Sequence, residues 1–233
     1  MTKQNGRAQT RETMPETAAV REKLLDLAVG TIASHGWCGF RLARLASEAG
    51  CPVADVRRLF ATRYDLLIAL SERADAAMFA AAREIRPDDS PQDRLHAIPM
   101  ARFAAAAGDR AALKRILEAT VRDPLLAAVH LRNLHAWADR ALLLAGIAAE
   151  HPLAGLAQKK ILAAAVILPV LPRWIADEST DLAVTEAALD RAIARILPLL
   201  VGGRRHAGGS DEKEGEPEKT APPPAGPVTE QGA

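Results

Sequence analysis

Two short helices joined by a glycine turn, over residues 41–60, constrain this chain more than any other segment. Leu42, Leu45, Ala46 and Ala49 recur at i, i+3, i+4 and i+7, one face of a helix. Gly50 follows the last of them, where a left-handed residue closes a helix. Pro52 stands where a second helix can begin, because its missing N–H would have had no partner there. Val53, Val56 and Phe60 then bring the second helix back to the same core.

Any small αα-hairpin gives this pattern, and so does the helix-turn-helix that lays its second helix in a DNA major groove. The flanks favour the second. Residues 17–35 form a long amphipathic helix with Val20, Leu24, Leu27, Ala28 and Ile32 on one side, closed by Gly36. After Phe60, residues 61–67 hold a break and then the start of a fourth helix, which runs to about Arg83.

Order and spacing here resemble the TetR family of bacterial transcriptional repressors. The resemblance rests on Gly36-Trp37, Leu45-Ala46, Ala49-Gly50-Cys51, Val56, Phe60, Arg63 (usually Lys) and Leu66-Leu67, and spans residues 18–83. Where the family usually caps its second and third helices with Ser or Thr, this chain has Arg41 and Pro52. Where a Tyr and a His commonly touch phosphates, it has Arg57 and Leu59. Arg57 and Arg58 offer full charges in their place. The resemblance implies double-stranded DNA as a partner, with Val53, Arg57 and Arg58 in the groove and Arg41, Arg44 and Arg63 on the backbone.

Composition favours an all-α chain. Of 233 residues 49% are hydrophobic but 3% aromatic, and Ala and Leu dominate over β-branched residues. The formal net charge is +1, with a weak basic bias towards the N-terminus. Cys38 and Cys51 have neither C-x-x-C nor zinc spacing, which suits reduced thiols in a cytoplasmic protein. No apolar signal segment opens the chain. The longest uncharged run after Lys160 ends at Pro172 and contains Pro169, too short to span a bilayer.

Punctuation divides the rest. Ser90 and Pro91 start a helix bent near Pro99; Gly108-Asp109 start another, and Asp123-Pro124 a longer one stopped by Gly146. Residues 156–175 read as a very apolar helix interrupted at Pro169 and Pro172, and residues 179–181 cap the last helix. Roughly nine helices result. They divide into a disordered arm (1–16), a helix-turn-helix domain (17–66), a helical ligand-binding and dimerisation body (67–203) and a disordered tail (204–233) rich in Gly, Pro, Glu and Lys.

The resemblance implies a homodimer through the last two helices, over residues 156–175 and 181–200. Ile161, Leu162, Val166, Ile167, Leu168, Val170 and Leu171 suit that interface; a monomer's core helix would carry the same run. Met100, Phe103, His135 and Trp137 are candidate linings for a small apolar effector. Residues 168–174, Asp177, 181–183 and 188–192 look like a proteobacterial TetR-like group. That group shares its fold with a lipid-binding protein of ubiquinone biosynthesis, so the alternative is a lipid or isoprenoid binder without DNA. No catalytic, cofactor or metal motif stands out: His130 and His135 lie on different helix faces, and no phosphate loop or nucleophile elbow is present. The expectation is a regulator rather than an enzyme, without stable membrane insertion.

Overall fold

The computed structural model of the chain describes residues 5–201 except 148 and 150, with side chains from residue 17 onward. The tail over 204–233 lies outside the described residues. The described residues are all-helical: α1 Asn5–Gly39, α2 Leu42–Ala49, α3 Val53–Leu59, α4 Arg63–Glu84, α5 Pro91–Ala105, a 3-10 turn Ala107–Asp109, α6 Arg110–Thr120, α7 Pro124–Leu144, α8 Pro152–Ile167, α9 Leu171–Ala176 and α10 Ala183–Val201. The stretch read as one interrupted helix is α8 plus α9. Pro169 and Pro172 break it, because proline removes a backbone donor and crowds the preceding turn. The backbone of α1 reaches back to Asn5, into the segment read as an arm.

Helix ends follow their local chemistry. Gly36, at φ 72° and ψ 165°, breaks α1 into its long part and a last short turn. Gly50 sits at φ 65° and closes α2. Its N–H donates to Ser47 and that of Cys51 to Ala46, the paired bonds of a Schellman motif. Ser90 and Asp93 form a capping box on α5, and Asp123 caps α7 by accepting from the Leu126 N–H at 3.0 Å.

At the start of α10 Asp181, within the expected cap, accepts from the Ala183 N–H at 3.2 Å, and a second anchor lies behind it. Leu182 enters the helix at φ 57°, and buried Asp177 accepts from the Thr185 N–H at 2.8 Å and its hydroxyl at 2.6 Å. The Ser179 N–H and hydroxyl bind the same carboxylate. Burial pushes this carboxyl up, but the Ser179 and Thr185 donors outweigh it and hold it at about 2.

Two cores organise the helices. The head core gathers Leu24, Leu25, Ala28 and Ile32 of α1 with Trp37, Phe40, Leu45, Val56 and Phe60. Val20 and Leu27, expected on this side, are exposed, and Leu25 takes the inward place. Val53 is exposed as well and stays off the core it was expected to join. The body core lies among α4, α5, α7, α8 and α10 around Met78, Ile98, Trp137, Trp174 and Leu189. α4 serves both, passing from the head core at Leu70 to the body core at Ala74. The head core also takes in Ala112, Ile116 and Ala119 of α6 and Leu126 of α7, so head and body share an apolar seam.

Candidate nucleic-acid interface and body cavity

α3 is seven residues long, and its burial pattern fixes which side faces out. Val56 is buried, and Phe60 just beyond it fills the head core. Val53, Ala54, Arg57 and Arg58 are exposed. Neither α2 nor α3 has a side-chain cap, as Arg41 and Pro52 imply. Pro52 occupies the cap position itself, one residue before the helix.

The six candidate contacts differ in how free they are. Arg57 has no ion-pair or hydrogen-bond partner among the described residues. Arg58 pairs with Asp55 at 2.7 Å yet stays highly exposed. Arg41 is exposed and folds its guanidinium back on the Cys38 and Phe40 carbonyls, at 2.7 and 2.8 Å. Arg44 donates to Glu48 at 2.9 Å and lies 2.7 Å from His35 Nε2. Thr31 also donates to Glu48; hydrogen bonds from Thr31 first and then Arg44 hold that carboxyl below its ordinary range.

Arg63 is placed differently. It stacks over the Trp37 and Tyr64 rings, at 5.0 and 5.2 Å, and pairs with Asp123 at 2.9 Å. Asp123 also accepts from the Tyr64 hydroxyl at 3.0 Å. The Leu126 N–H first, with Tyr64 and Arg63, keeps its carboxyl below the ordinary range against the push of burial. Arg63 therefore ties the start of α4 to the start of α7. A second tie runs through Arg73, which donates to Asp26 of α1 and to Asp109 before α6, both at 2.7 Å.

The body holds a partly open, mostly apolar cavity of about 360 Å³. That lies within the range of small-molecule sites. Of the four candidate linings, Phe103 and Trp137 border it; Met100 and His135 do not. Met100 packs against the body core, and His135 points to solvent. His130 and Asn133 take their place on α7. Their spacing with Trp137, at i, i+3 and i+7, marks one helix face and is readable in the sequence once that face is known. Burial lowers the His130 pKa, which favours the neutral ring.

The polar groups around the cavity are largely paired. Arg102 donates to buried Asp75 at 2.6 Å and to Ser71 at 2.9 Å. Arg140 shares Asp75, Thr120 bonds the Ile116 carbonyl, and the Trp174 indole donates to the Phe103 carbonyl. Three buried side-chain nitrogens on the cavity-lining face of α7 have no partner: His130 Nε2, Asn133 Nδ2 and Trp137 Nε1.

The outer side of α8 is apolar and open. Leu153, Ala157, Ala164 and Leu168 form an exposed stripe interrupted by Lys160, with Leu153 81% and Leu168 75% exposed. Of the seven residues expected at an interface, Leu162, Val166 and Val170 are buried in this body, while Ile167 and Leu171 line the cavity. A helix apolar all round does not announce which side turns inward. By length and composition alone Pro152–Ala176, a stretch that takes in Lys159, Lys160 and Arg173 as well as the uncharged run, is long and apolar enough to cross a membrane. In the fold α8 and α9 pack on α7 and α10.

The arrangement is a helix-turn-helix head on a helical body with a cavity. The fold is similar to the TetR transcriptional regulator from Nitrosomonas europaea ATCC 19718, with a TM-score of 0.63 and 21% identity over 76% of this chain and 97% of that one. It is matched more loosely by a transcriptional regulator from Rhodococcus sp. Rha1, with a TM-score of 0.48 and 19% identity over 76% and 95%. No family pattern and no curated protein matches the sequence.

Proposed function

We propose that this chain is a DNA-binding transcriptional regulator of the repressor type, acting in the cytoplasm as a homodimer and not as an enzyme. The observation that carries the reading is the outward face of α3: Val53, Ala54, Arg57 and Arg58 are exposed while Val56 and Phe60 hold the helix from behind. A helix presented this way fits a major groove. Arg57, unpaired, meets phosphate or a guanine edge; Arg58 joins it by exchanging Asp55 for DNA, and Arg41 and Arg44 hold the backbone. Arg63 is left out of this interface because Asp123 and two rings already engage it.

Dimerisation uses the exposed stripe of α8 beside α10, which would remove its leucines from water. A small apolar effector fills the body cavity. α6 links that cavity to the head: Leu113, Leu117 and Thr120 line the cavity, while Ala112, Ile116 and Ala119 on another face enter the head core. Displacing α6 moves α1 and alters the separation of the two heads, which must stay near one helical turn, about 34–36 Å, to bind together. The effector acts only through different affinities for the two arrangements.

One observation favours a second reading, a lipid-binding protein that has given up DNA: α2 and α3 lack side-chain caps, and Arg44, Arg58 and Arg63 are all in ion pairs. The deciding experiment is retention of a duplex taken from upstream of the protein's own gene, at two salt concentrations. Retention that weakens with salt supports the regulator. No retention, with lipid carried through purification, supports the alternative.

A further inference from the structure

We infer that the body cavity takes a neutral, mostly apolar molecule bearing a carbonyl acceptor — a ketone, ester, lactone or quinone — which receives hydrogen bonds from the α7 face formed by His130, Asn133 and Trp137. The inference rests on reading the body as an effector-binding unit and names the effector's chemical class.

A buried indole N–H ordinarily finds an acceptor. Trp137 is 3% exposed, lines the cavity, and its Nε1 has no acceptor among the described residues. Asn133 Nδ2 and His130 Nε2, one and two turns before it on α7, are in the same condition. Indole is a donor only, the amide nitrogen donates two hydrogens, and neutral imidazole donates from one nitrogen. Ser71, Arg102, Asp109, Thr120 and Trp174 also line the cavity, and each already has a partner. What the cavity lacks is therefore an acceptor, and the missing acceptor belongs beside α7.

Charge selects against a carboxylate. Arg102 and Arg140 share Asp75, which leaves one positive charge in excess. Glu22, Asp26 and Asp109 share Arg73, which leaves two negative charges in excess. The two clusters together carry no surplus positive charge, and burial favours a neutral His130. An ionised ligand would enter a largely apolar space without a counter-charge of its own, at a high desolvation cost. A neutral carbonyl meets the donors without that cost, and its apolar remainder suits Leu113, Leu134 and Phe103.

Calorimetric titration of the full chain with two matched sets tests this: naphthalene, 1-acetylnaphthalene and 1-naphthoate, and octane, 2-octanone and octanoate. At least one ketone is expected to bind about tenfold more tightly than its hydrocarbon and its carboxylate. Trp137→Phe and, separately, Asn133→Leu should erase most of that preference, read as the ratio of ketone to hydrocarbon affinity within the same variant. Equal binding of ketone and hydrocarbon, tighter binding of the carboxylate, no binding by either set, or a preference untouched in both variants overturns the inference. Duplex binding measured on the same preparation separates the two claims. Ketone preference without DNA binding sinks the regulator and keeps this inference. DNA binding without ketone preference does the reverse.

Discussion

Arg63, the first residue of α4, and Asp123, the cap of α7, form a 2.9 Å ion pair across 60 residues of chain. The resemblance implies a DNA contact for Arg63; the fold places it at the joint between head and body. Asp123 does two jobs, holding Arg63 and Tyr64 while capping α7 through Leu126. Asp123→Asn should keep the cap and lose the ion pair, whereas Asp123→Ala loses both. Thermal midpoints should fall in the order parent, Asn, Ala. Equal midpoints for all three would show that the joint contributes nothing to stability.

The exposed stripe of α8 yields a prediction about assembly. Leu168 is 75% exposed, so a charge there is tolerated by an isolated chain. Leu168→Glu should therefore stay folded, with unchanged helicity, and sediment as a monomer where the parent sediments as a dimer. A variant that keeps the parent's size would exclude this stripe as the interface. Loss of folding would mean that Leu168 is packed within the chain itself.

Asp177 makes acid stability testable. Its folded carboxyl sits at about 2, below the ordinary 3.8. A depressed folded pKa contributes stability that is complete above the unfolded value and is lost as pH falls through the folded one. The contribution of this anchor should thus persist at pH 5 and fade between about pH 4 and pH 2. Asp177→Asn should lower the midpoint at neutral pH and flatten the acid limb. A variant that retains the parent's full acid limb would place that titration elsewhere.

The scaffold was legible because its signals are local. Gly50, Ser90 and Asp123 announce helix ends through backbone chemistry that acts over four residues. Which side of a helix turns inward is a tertiary matter, and there the sequence was a weaker guide. His130 and His135 are five residues apart, about 140° around the axis; the cavity takes the first and water the second. Outside Gln158, Lys159 and Lys160, α8 is apolar all round, so its packed and open faces read alike until α7 and α10 cover one of them. Arg63 shows the same limit for charge: motif position named it, but its ion-pair partner Asp123 is distant in sequence.

The regulator reading stands or falls on salt-dependent duplex binding through α3. Fluorescence anisotropy of the parent and of Arg57→Ala, with the upstream duplex across a series of salt concentrations, measures it. The account predicts a log–log slope for the parent that falls by about one unit in the variant, because one phosphate is no longer neutralised. If Arg57 instead reads a guanine, preference at that base relaxes by about 1–3 kcal/mol. A parent with no salt-dependent affinity for the duplex, or a variant identical to it in slope, affinity and base preference, would contradict the account.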